Sequence, residues 1–579
     1  MAGLALLIGV GAGLGAIGFR YLILAFTQLF TGHSDPSAIG HFTNPHVPLL
    51  GPYVVVVIPV IGGLLYGPLV YRFAPEARGH GVPEVMLAVH TGEGRIRGRV
   101  PVVKSLASAI CIGAGGSVGR EGPIVQIGSA LGSALGQVTR VGGQEMRLLV
   151  ACGAAGGIGA TFNAPIAGVF FALELILRDF QTRAFGVVVL SSVVATAVGR
   201  IAFGSEAFLA LPSFHVQSGV EYPLYALLGA LAAVVGVVFI HTLYGAEDAV
   251  DRIWRGPAWL RPAAGGVLLG AVLLVLPEMY GVGYPVVEGA IGGQYTVAFL
   301  CALLVGKVCA TSLTLSIGGS GGVFAPSLFM GAMLGSAFGL GVHDLLPEAT
   351  ASAGAYGLVG MAAVFAATGR APITAVIVVF ELTGDYSIIL PLMLAVVIAT
   401  GLSRALSEDS IYSLKLRRRG IDIERPVTSA PLRGLLIADA MAPAPHPLGA
   451  GDSPAEAAAA MLREGRSALP VVDTEGRLAG VVTVRDLERG GEAGGEPRTV
   501  AALSEDVPEL HPGEPLVNAV DWLGGGEREG VPILAPDSLT IAGWLEHRDV
   551  LRAYAASSRG SPHAPVGDTP REPAGASGA

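Results

Sequence analysis

The chain has 579 residues, of which 52% are hydrophobic and only 14% charged, with a formal net charge of −9 and a mean hydropathy of +0.61. A soluble protein carries about 25% charged residues, so a wholly soluble globular protein is excluded, and nothing in the charge pattern points to a nucleic acid. Charge is sparse up to about residue 420 and ordinary beyond it, which reads as a polytopic membrane protein with a C-terminal soluble region.

The N-terminus opens directly into an apolar run with no basic stretch or small-residue cleavage site, and reads as a first membrane helix, not a removed signal. Apolar segments follow near 51–74, 101–115, 122–137, 145–176, 184–203, 223–244, 261–276, 293–317, 323–341, 354–367, 371–382 and 387–406. Several fall short of the roughly 20 residues that cross a bilayer. Those in 101–176 and 306–382 are broken by Gly and Pro, and broken helices in corresponding places of two halves point to a midplane binding site.

The halves correspond at the level of residues. Lys104–Gly136 aligns without a gap on Lys307–Gly339 at an offset of 203, with 13 identities in 33 positions. Ala164-Pro165-Ile166 then matches Ala371-Pro372-Ile373 at an offset of 207, as does Glu174-Leu175 with Glu381-Leu382. Internal duplication accounts for this. The cysteines Cys111, Cys152, Cys301 and Cys309 lie in apolar segments with no metal-ligand spacing and read as small buried hydrophobes. Basic residues cluster at Arg95, Arg97, Arg99 and Lys104 and again at Lys415, Arg417, Arg418 and Arg419; the second cluster marks a cytoplasmic end for the membrane part.

Three glycine-marked breaks carry the chemistry: Gly79-His80-Gly81-Val82-Pro83, Gly119-Arg120-Glu121-Gly122-Pro123 and Gly321-Gly322-Val323-Phe324-Ala325-Pro326. Each puts Pro in the first turn of an apolar helix, where its missing N–H costs nothing. A helix start leaves unpaired N–H donors and a partial positive charge, so three converging starts would bind an anion without a full cation that would retain it. Glu121 adds one carboxylate there, and an ionisable group at membrane depth is expensive and functional. No nucleophile, metal cluster or cofactor motif accompanies it, which argues against an enzyme using it as a general base.

GHGVP, GREGP, GGVFAP and Tyr412 in SIYSLKL resemble, in order and spacing, the signature elements of the CLC chloride channels and transporters over about residues 1–420. The resemblance implies an all-α polytopic fold of two inverted repeats with broken helices (about 1–205 and 206–420). It implies a homodimer in the membrane lipid with one anion pathway per subunit, no required cofactor, no metal and no enzymatic activity. It makes Glu121 the gate and His80, Gly81, Val82, Gly122, Val323, Phe324 and Tyr412 the anion-binding set. Fluoride-selective members depart from GREGP and from the late tyrosine. This chain keeps both, so chloride is expected, with bromide or nitrate as other small anions.

Two departures from the family pattern matter. His80 stands where the family commonly has Ser; either its ring donates to the anion or it turns aside and only the backbone contributes. Family exchangers carry an internal proton-loading glutamate, and aligning FNAPIAGVFFALEL puts Leu175 there, with Glu174 one residue earlier and about 100° away around a helix. Channel-like or weakly proton-coupled conduction is therefore expected, the alternative being an H+/Cl− exchanger whose proton route avoids position 175. Glu174 is a candidate for the proton path, and a structural role for it and Glu381 is the stronger expectation.

After a linker at 421–435, the soluble part reads as two similar α/β units, 436–490 and 498–556, followed by a disordered tail, 557–579, rich in Gly, Pro, Ser and Ala. Gly480-Val481-Val482-Thr483-Val484-Arg485-Asp486 and Gly543-Trp544-Leu545-Glu546-His547-Arg548-Asp549 resemble tandem CBS domains. The resemblance makes Thr483, Asp486 and Asp549 candidate contacts to an adenine nucleotide, but Glu546 replaces Thr and would repel phosphate. A module that supports the dimer, on the cytoplasmic face of the cell membrane, is the stronger expectation.

Overall fold

The structure is a computed structural model and describes residues 1–39, 44–45, 48–91, 94–180, 182–206, 208–209, 214–384, 386–421, 435–487, 499–502, 509–523, 530–535 and 540–560. It divides between residues 422 and 423 into two compact units. In the first, α1 (Ala2–Thr31), α2 (Val54–Phe73), α3 (Val82–Thr91), α4 (Val100–Gly113), α5 (Glu121–Thr139), α6 (Gly143–Phe162), α7 (Pro165–Phe171, continued by a wider turn to Leu177) and α8 (Thr182–Phe203) form one half. The second half comprises α9 (Glu221–Ile253), α10 (Arg261–Val275), α11 (Tyr284–Ile291), α12 (Val297–Ser316), α13 (Phe324–Leu345), α14 (Ala353–Gly369), α15 (Pro372–Thr383) and α16 (Ile389–Leu406), after which comes α17 (Ser413–Arg417). Among the described residues, seven helices are long and apolar enough to cross a membrane.

The packing repeats with the sequence. α5 packs on α6 as α13 does on α14, α1 on α8 as α9 on α16, and α6 on α8 as α14 on α16. Small residues permit these approaches, as lipid offers no hydrophobic drive between helices: a Cβ on Gly128 would lie 2.1 Å from the Gly153 carbonyl oxygen, and one on Gly331 would lie 2.2 Å from that of Gly360. Asn163 and Arg370 end α6 and α14 in the left-handed conformation, each at φ 57°, and each is followed by an Ala-Pro-Ile that starts the next helix.

One expectation fails. Lys104 does not belong to the basic cluster of Arg95, Arg97 and Arg99. It is fully buried, and its Nζ donates to the carbonyls of Ala77 (2.9 Å) and Gly79 (2.8 Å). Its repeat mate Lys307, also fully buried, donates to Gly281 (3.1 Å) and Val282 (3.2 Å). Position 104 lies one turn into α4, where the helix has entered the protein and the chain at the first break presents carbonyls that Lys104 shares with Ser320 Oγ and Gly321 N–H. The repeat pairing of the two lysines was the signal for this role.

In the second unit a three-stranded sheet holds β1 (Leu448–Gly449), parallel to β2 (Ala468–Val472), which pairs antiparallel with β3 (Leu478–Thr483); β4 (Gly530–Leu534) pairs antiparallel with β5 (Ile541–Glu546). Ser453 caps the helix Pro454–Glu464 in a reciprocal box with Glu456. Ala442 pairs with Trp544, so the chain of the first copy completes the sheet of the second. The last helix, His547–Gly560, overruns the expected tail boundary at 557; residues 561–579 and most of the linker, 422–434, lie outside the described residues.

Candidate functional site

The three glycine breaks meet. Gly119 and Gly322, repeat mates by sequence, pair antiparallel with one another: Gly119 N–H donates to Gly322 O (2.8 Å) and Gly322 N–H to Gly119 O (2.6 Å). A reciprocal antiparallel pair between equivalent residues is a local two-fold axis, as inverted repeats require. Gly79 N–H donates to Gly319 O (3.0 Å) and Gly321 N–H to Gly79 O (3.3 Å), so the first break is stitched to the third. A Cβ on Gly122 would stand 2.0 Å from His80 O and 2.9 Å from Gly322 Cα; at this approach only glycine fits. The starts of α3, α5 and α13 are thereby held together, with Val82, Gly122, Val323 and Phe324 at or beside their first turns and Gly81 at φ 85°.

Glu121 opens α5 and is 1% exposed. Its Oε1 accepts a hydrogen bond from the Tyr284 hydroxyl at 2.7 Å and lies 4.0 Å from Arg120 Nε. Among the described residues its Oε2 is buried without a side-chain hydrogen-bond partner. Tyr284 was not singled out from the sequence. It belongs to a fourth break, Gly281-Val282-Gly283-Tyr284-Pro285, which matches Gly79–Pro83 at an offset of 202. That match was the available signal.

Tyr412 is 1% exposed and immediately precedes α17. Its turn is set by Ile411 N–H donating to Thr368 O (2.9 Å) and Tyr244 Oη donating to Ile411 O (2.5 Å). Its ring lies beside Gly369 and the Phe365 ring, and Phe365 packs on Phe324 with centroids 4.3 Å apart and rings tilted by 53°, which joins Tyr412 to the third break. The second basic cluster fixes α17: Lys415 bonds Glu247 (2.5 Å), Arg418 bonds Asp248, and Arg419 reaches Glu84 on α3 (2.8 Å). His80 is buried, its Nδ1 without a partner among the described residues, and its ring stands edge-on to Tyr244 at 6.3 Å.

Glu174 and Glu381 reach across to each other's half. Glu174 accepts from Ile373 N–H (3.1 Å), Thr374 N–H (2.8 Å) and Thr374 Oγ1 (2.7 Å) at the start of α15. Glu381 accepts from Ile166 N–H (3.0 Å) and Ala167 N–H (2.6 Å) at the start of α7. Each carboxylate satisfies helix-start donors that would otherwise be orphaned. Leu175 is buried.

The profile of the voltage gated chloride channel family matches residues 62–404, more than half of the chain. The chain belongs to that family. A protein of Ralstonia nicotianae named chloride channel protein ClcB-like is 36% identical over 436 residues, covering 74% of this chain and all of its own length. The H(+)/Cl(−) exchange transporter ClcA of Vibrio cholerae is 35% identical over 429 residues, 72% of this chain and 88% of its own. Among solved structures, a slow cyanobacterial Cl−/H+ antiporter superposes with a TM-score of 0.65 at 27% identity, covering 73% of this chain and 99% of its own. A eukaryotic CLC transporter superposes with 0.62 over 95% of this chain and 97% of its own, at 21% identity, and supports the fold alone. The membrane unit is therefore a CLC fold of two inverted repeats with broken helices.

The CBS profile matches residues 437–490. There the candidate nucleotide contacts are engaged with one another: Asp486 Oδ2 accepts from Thr483 N–H (2.9 Å) and Thr483 Oγ1 (2.6 Å). Asp549 Oδ2 accepts from Glu546 N–H (3.2 Å), while the Glu546 carboxylate is bridged by Arg466 and, at 2.7 Å, by Arg548. A cavity of about 390 Å³ is lined by Arg466, Trp544, Glu546, His547 and Arg548, among others, and not by Thr483, Asp486 or Asp549.

Proposed function

We propose that this protein moves chloride across a membrane as a CLC homodimer with one pathway per subunit, gated by Glu121 and coupled weakly or not at all to protons. The observation that carries the gate is the Glu121 carboxylate itself. It is buried where three helix starts converge, a hydroxyl holds one of its oxygens, and the other oxygen has no side-chain partner among the described residues. An anion drawn to the same N–H groups competes for that place, and a protonated or displaced carboxylate leaves it open. Val323, Phe324, Gly81, Val82, Gly122 and the Tyr412 hydroxyl supply the inner anion position, with His80 at its edge.

Weak coupling rests on the committed oxygens of Glu174 and on the apolar Leu175 beside it. The second reading, an exchanger with a proton route elsewhere, is favoured by the likeness to relatives named as H+/Cl− exchangers. The basic end at Lys415–Arg419 supports a cytoplasmic CBS pair. That pair serves assembly, because Thr483 and Asp486 already satisfy one another and the Glu546 carboxylate, where the motif has Thr, would repel phosphate.

Paired chloride and proton fluxes in liposomes under an imposed chloride gradient test this. Chloride flux without uphill proton movement is expected, and Glu121→Gln retains the flux while losing its pH dependence. Absent chloride flux overturns the reading, uphill protons at a fixed ratio select the exchanger, and an unaltered pH profile in the variant removes the gate.

A further inference from the structure

Each half carries one fully buried lysine at the corresponding place, but the two breaks they serve are not held alike. Lys104 adds to a break that backbone bonds already fix, since Gly79 is joined to Gly319 and Gly321. By repeat position, the fourth break would be joined through Gly281 to Gly116 and Val118. It is not. Gly116 N–H donates to Cys111 O (2.8 Å) and Val118 N–H donates to Gly116 O (2.9 Å). Among the described residues, no backbone hydrogen bond ties Gly281, Val282 or Gly283 to another break. Side chains hold this turn instead. Tyr280 Oη donates to Gly113 O (2.6 Å) just ahead of it, and Lys307 Nζ donates to Gly281 O (3.1 Å) and Val282 O (3.2 Å).

Lys307 stands halfway along the apolar helix α12, a costly depth for an ammonium unless its donors are used. A lysine offers three donors and no acceptor. Two go to consecutive carbonyls, and the face of the Phe329 ring lies 4.8 Å from Nζ. Gly281 and Gly283, at φ 61° and 87°, give the backbone the left-handed turns that bring both carbonyls to one ammonium. Phe329 also backs the turn: a Cβ on Gly283 would lie 3.0 Å from its ring. Tyr284 follows directly, and its hydroxyl reaches Glu121 Oε1 at 2.7 Å. The hydroxyl that holds the gate therefore hangs from a turn that its own half pins with one ammonium and not with a backbone stitch.

We propose that Lys307 is a positioning residue for the gate: by pinning the Gly281–Gly283 turn it keeps the Tyr284 hydroxyl against Glu121, and so sets how readily the carboxylate leaves its place. The inference rests on the reading of Glu121 as the gate of a chloride pathway and deepens it. Lys307 touches neither the carboxylate nor the anion path by any hydrogen bond; it acts through Tyr284.

The test compares Lys307→Met, which keeps the apolar stem and loses the donors, with Tyr284→Phe and with the double variant, each in the full chain. In liposomes Lys307→Met is expected to raise resting chloride flux about threefold to tenfold. The double variant is expected to match Tyr284→Phe alone, because both substitutions act through one hydroxyl. Lys307→Arg keeps the charge and the donors and is expected to restore the unmodified flux. A structure of Lys307→Met is expected to show the Tyr284 hydroxyl out of hydrogen-bond reach of Glu121. Unchanged or reduced flux in Lys307→Met overturns the proposal, as does a double variant whose flux rises by the product of the two single effects. So does a Tyr284 hydroxyl that stays on Glu121. If Lys307→Met does not fold, Lys307→Gln takes its place with the same readings; failure of both to fold leaves the lysine a purely structural role and also overturns the proposal. An unmodified protein that passes no chloride counts against the functional reading alone, and the place of the Tyr284 hydroxyl in the Lys307→Met structure then decides the positioning role by itself.

Discussion

Lys104, Gly119 and Glu174 in the first half do what Lys307, Gly322 and Glu381 do in the second. The lysines gather carbonyls at a break, the glycines pair across the axis, and the glutamates cap a helix start in the opposite half. The mates also diverge where the pathway runs: Glu121 faces Phe324 by repeat position, His80 faces Val282, and Val82 faces Tyr284. Duplication thus supplied a two-fold scaffold of orphan helix-start donors, and function was written on it by asymmetry. A symmetric site would place two carboxylates in one buried space, where they repel, or none, where nothing competes with the anion. Here one half supplies the carboxylate and the other the hydroxyl that holds it.

The sharpest way to break this comparison is at the axis. Gly122→Ala puts a Cβ 2.0 Å from a carbonyl oxygen, and Gly322→Ala puts one 2.7 Å from the Gly122 nitrogen. Both are expected to abolish chloride flux and to broaden the size-exclusion profile in detergent. Gly18→Ala, with no heavy atom within 4 Å of the added carbon, is the control and should leave both unchanged. A well-behaved, active Gly122→Ala protein would show that the breaks do not need to touch.

The swapped caps come next. Glu174→Leu and Glu381→Leu each orphan two helix-start N–H groups, at a cost of about 2–4 kcal/mol in unfolding free energy. Glu174→Leu is expected to cost about 1 kcal/mol more, because it also strands the Thr374 hydroxyl. Thermal unfolding in detergent measures both. If Glu174→Leu leaves stability intact while altering proton movement, the capping role is secondary and the proton path regains its candidate.

Much of this was legible from residues. Thirteen apolar segments and their breaks anticipate fourteen of the sixteen helices α1–α16, the segment 145–176 covering both α6 and α7, because a backbone in lipid must satisfy its polar groups within the helix. The short helices α3 and α11 were not legible, since 10 and 8 residues beside Gly-rich breaks carry too little periodicity. Tyr284 was hidden by a one-residue change of offset, from 203 to 202, between adjacent parts of the repeat. The reciprocity of Glu174 and Glu381 could not be read at all: Glu174 meets a helix start 200 residues away, and only the two-fold axis brings it there. Lys104 was misplaced because its neighbours along the chain are surface arginines, while its neighbours in space are carbonyls.

A smaller effect tests the asymmetry at the gate. Tyr284→Phe removes the hydroxyl that bonds the Glu121 carboxylate. A bond to a charged group is worth about 1.5–3 kcal/mol, so the carboxylate leaves its place more readily and resting chloride flux is expected to rise by about tenfold or more. A fall in flux would instead assign the hydroxyl to the anion.

The smallest effect belongs to the C-terminal pair, where duplication was again followed by divergence. Thr483 and Asp486 cap one copy through a neutral hydroxyl, whereas Glu546 and Asp549 put two carboxylates at the equivalent turn. The second arrangement holds because Arg466, from the first copy, and Arg548 neutralise Glu546. Arg466→Gln is therefore expected to destabilise the second copy by about 1 kcal/mol, since the pair is only partly exposed and one arginine remains. Adding Glu546→Thr removes the excess charge and is expected to restore stability. Hydrogen exchange on β4 and β5 in the full chain reads the difference. If Arg466→Gln changes nothing, Arg548 alone balances Glu546, and the contact between the copies contributes packing without charge.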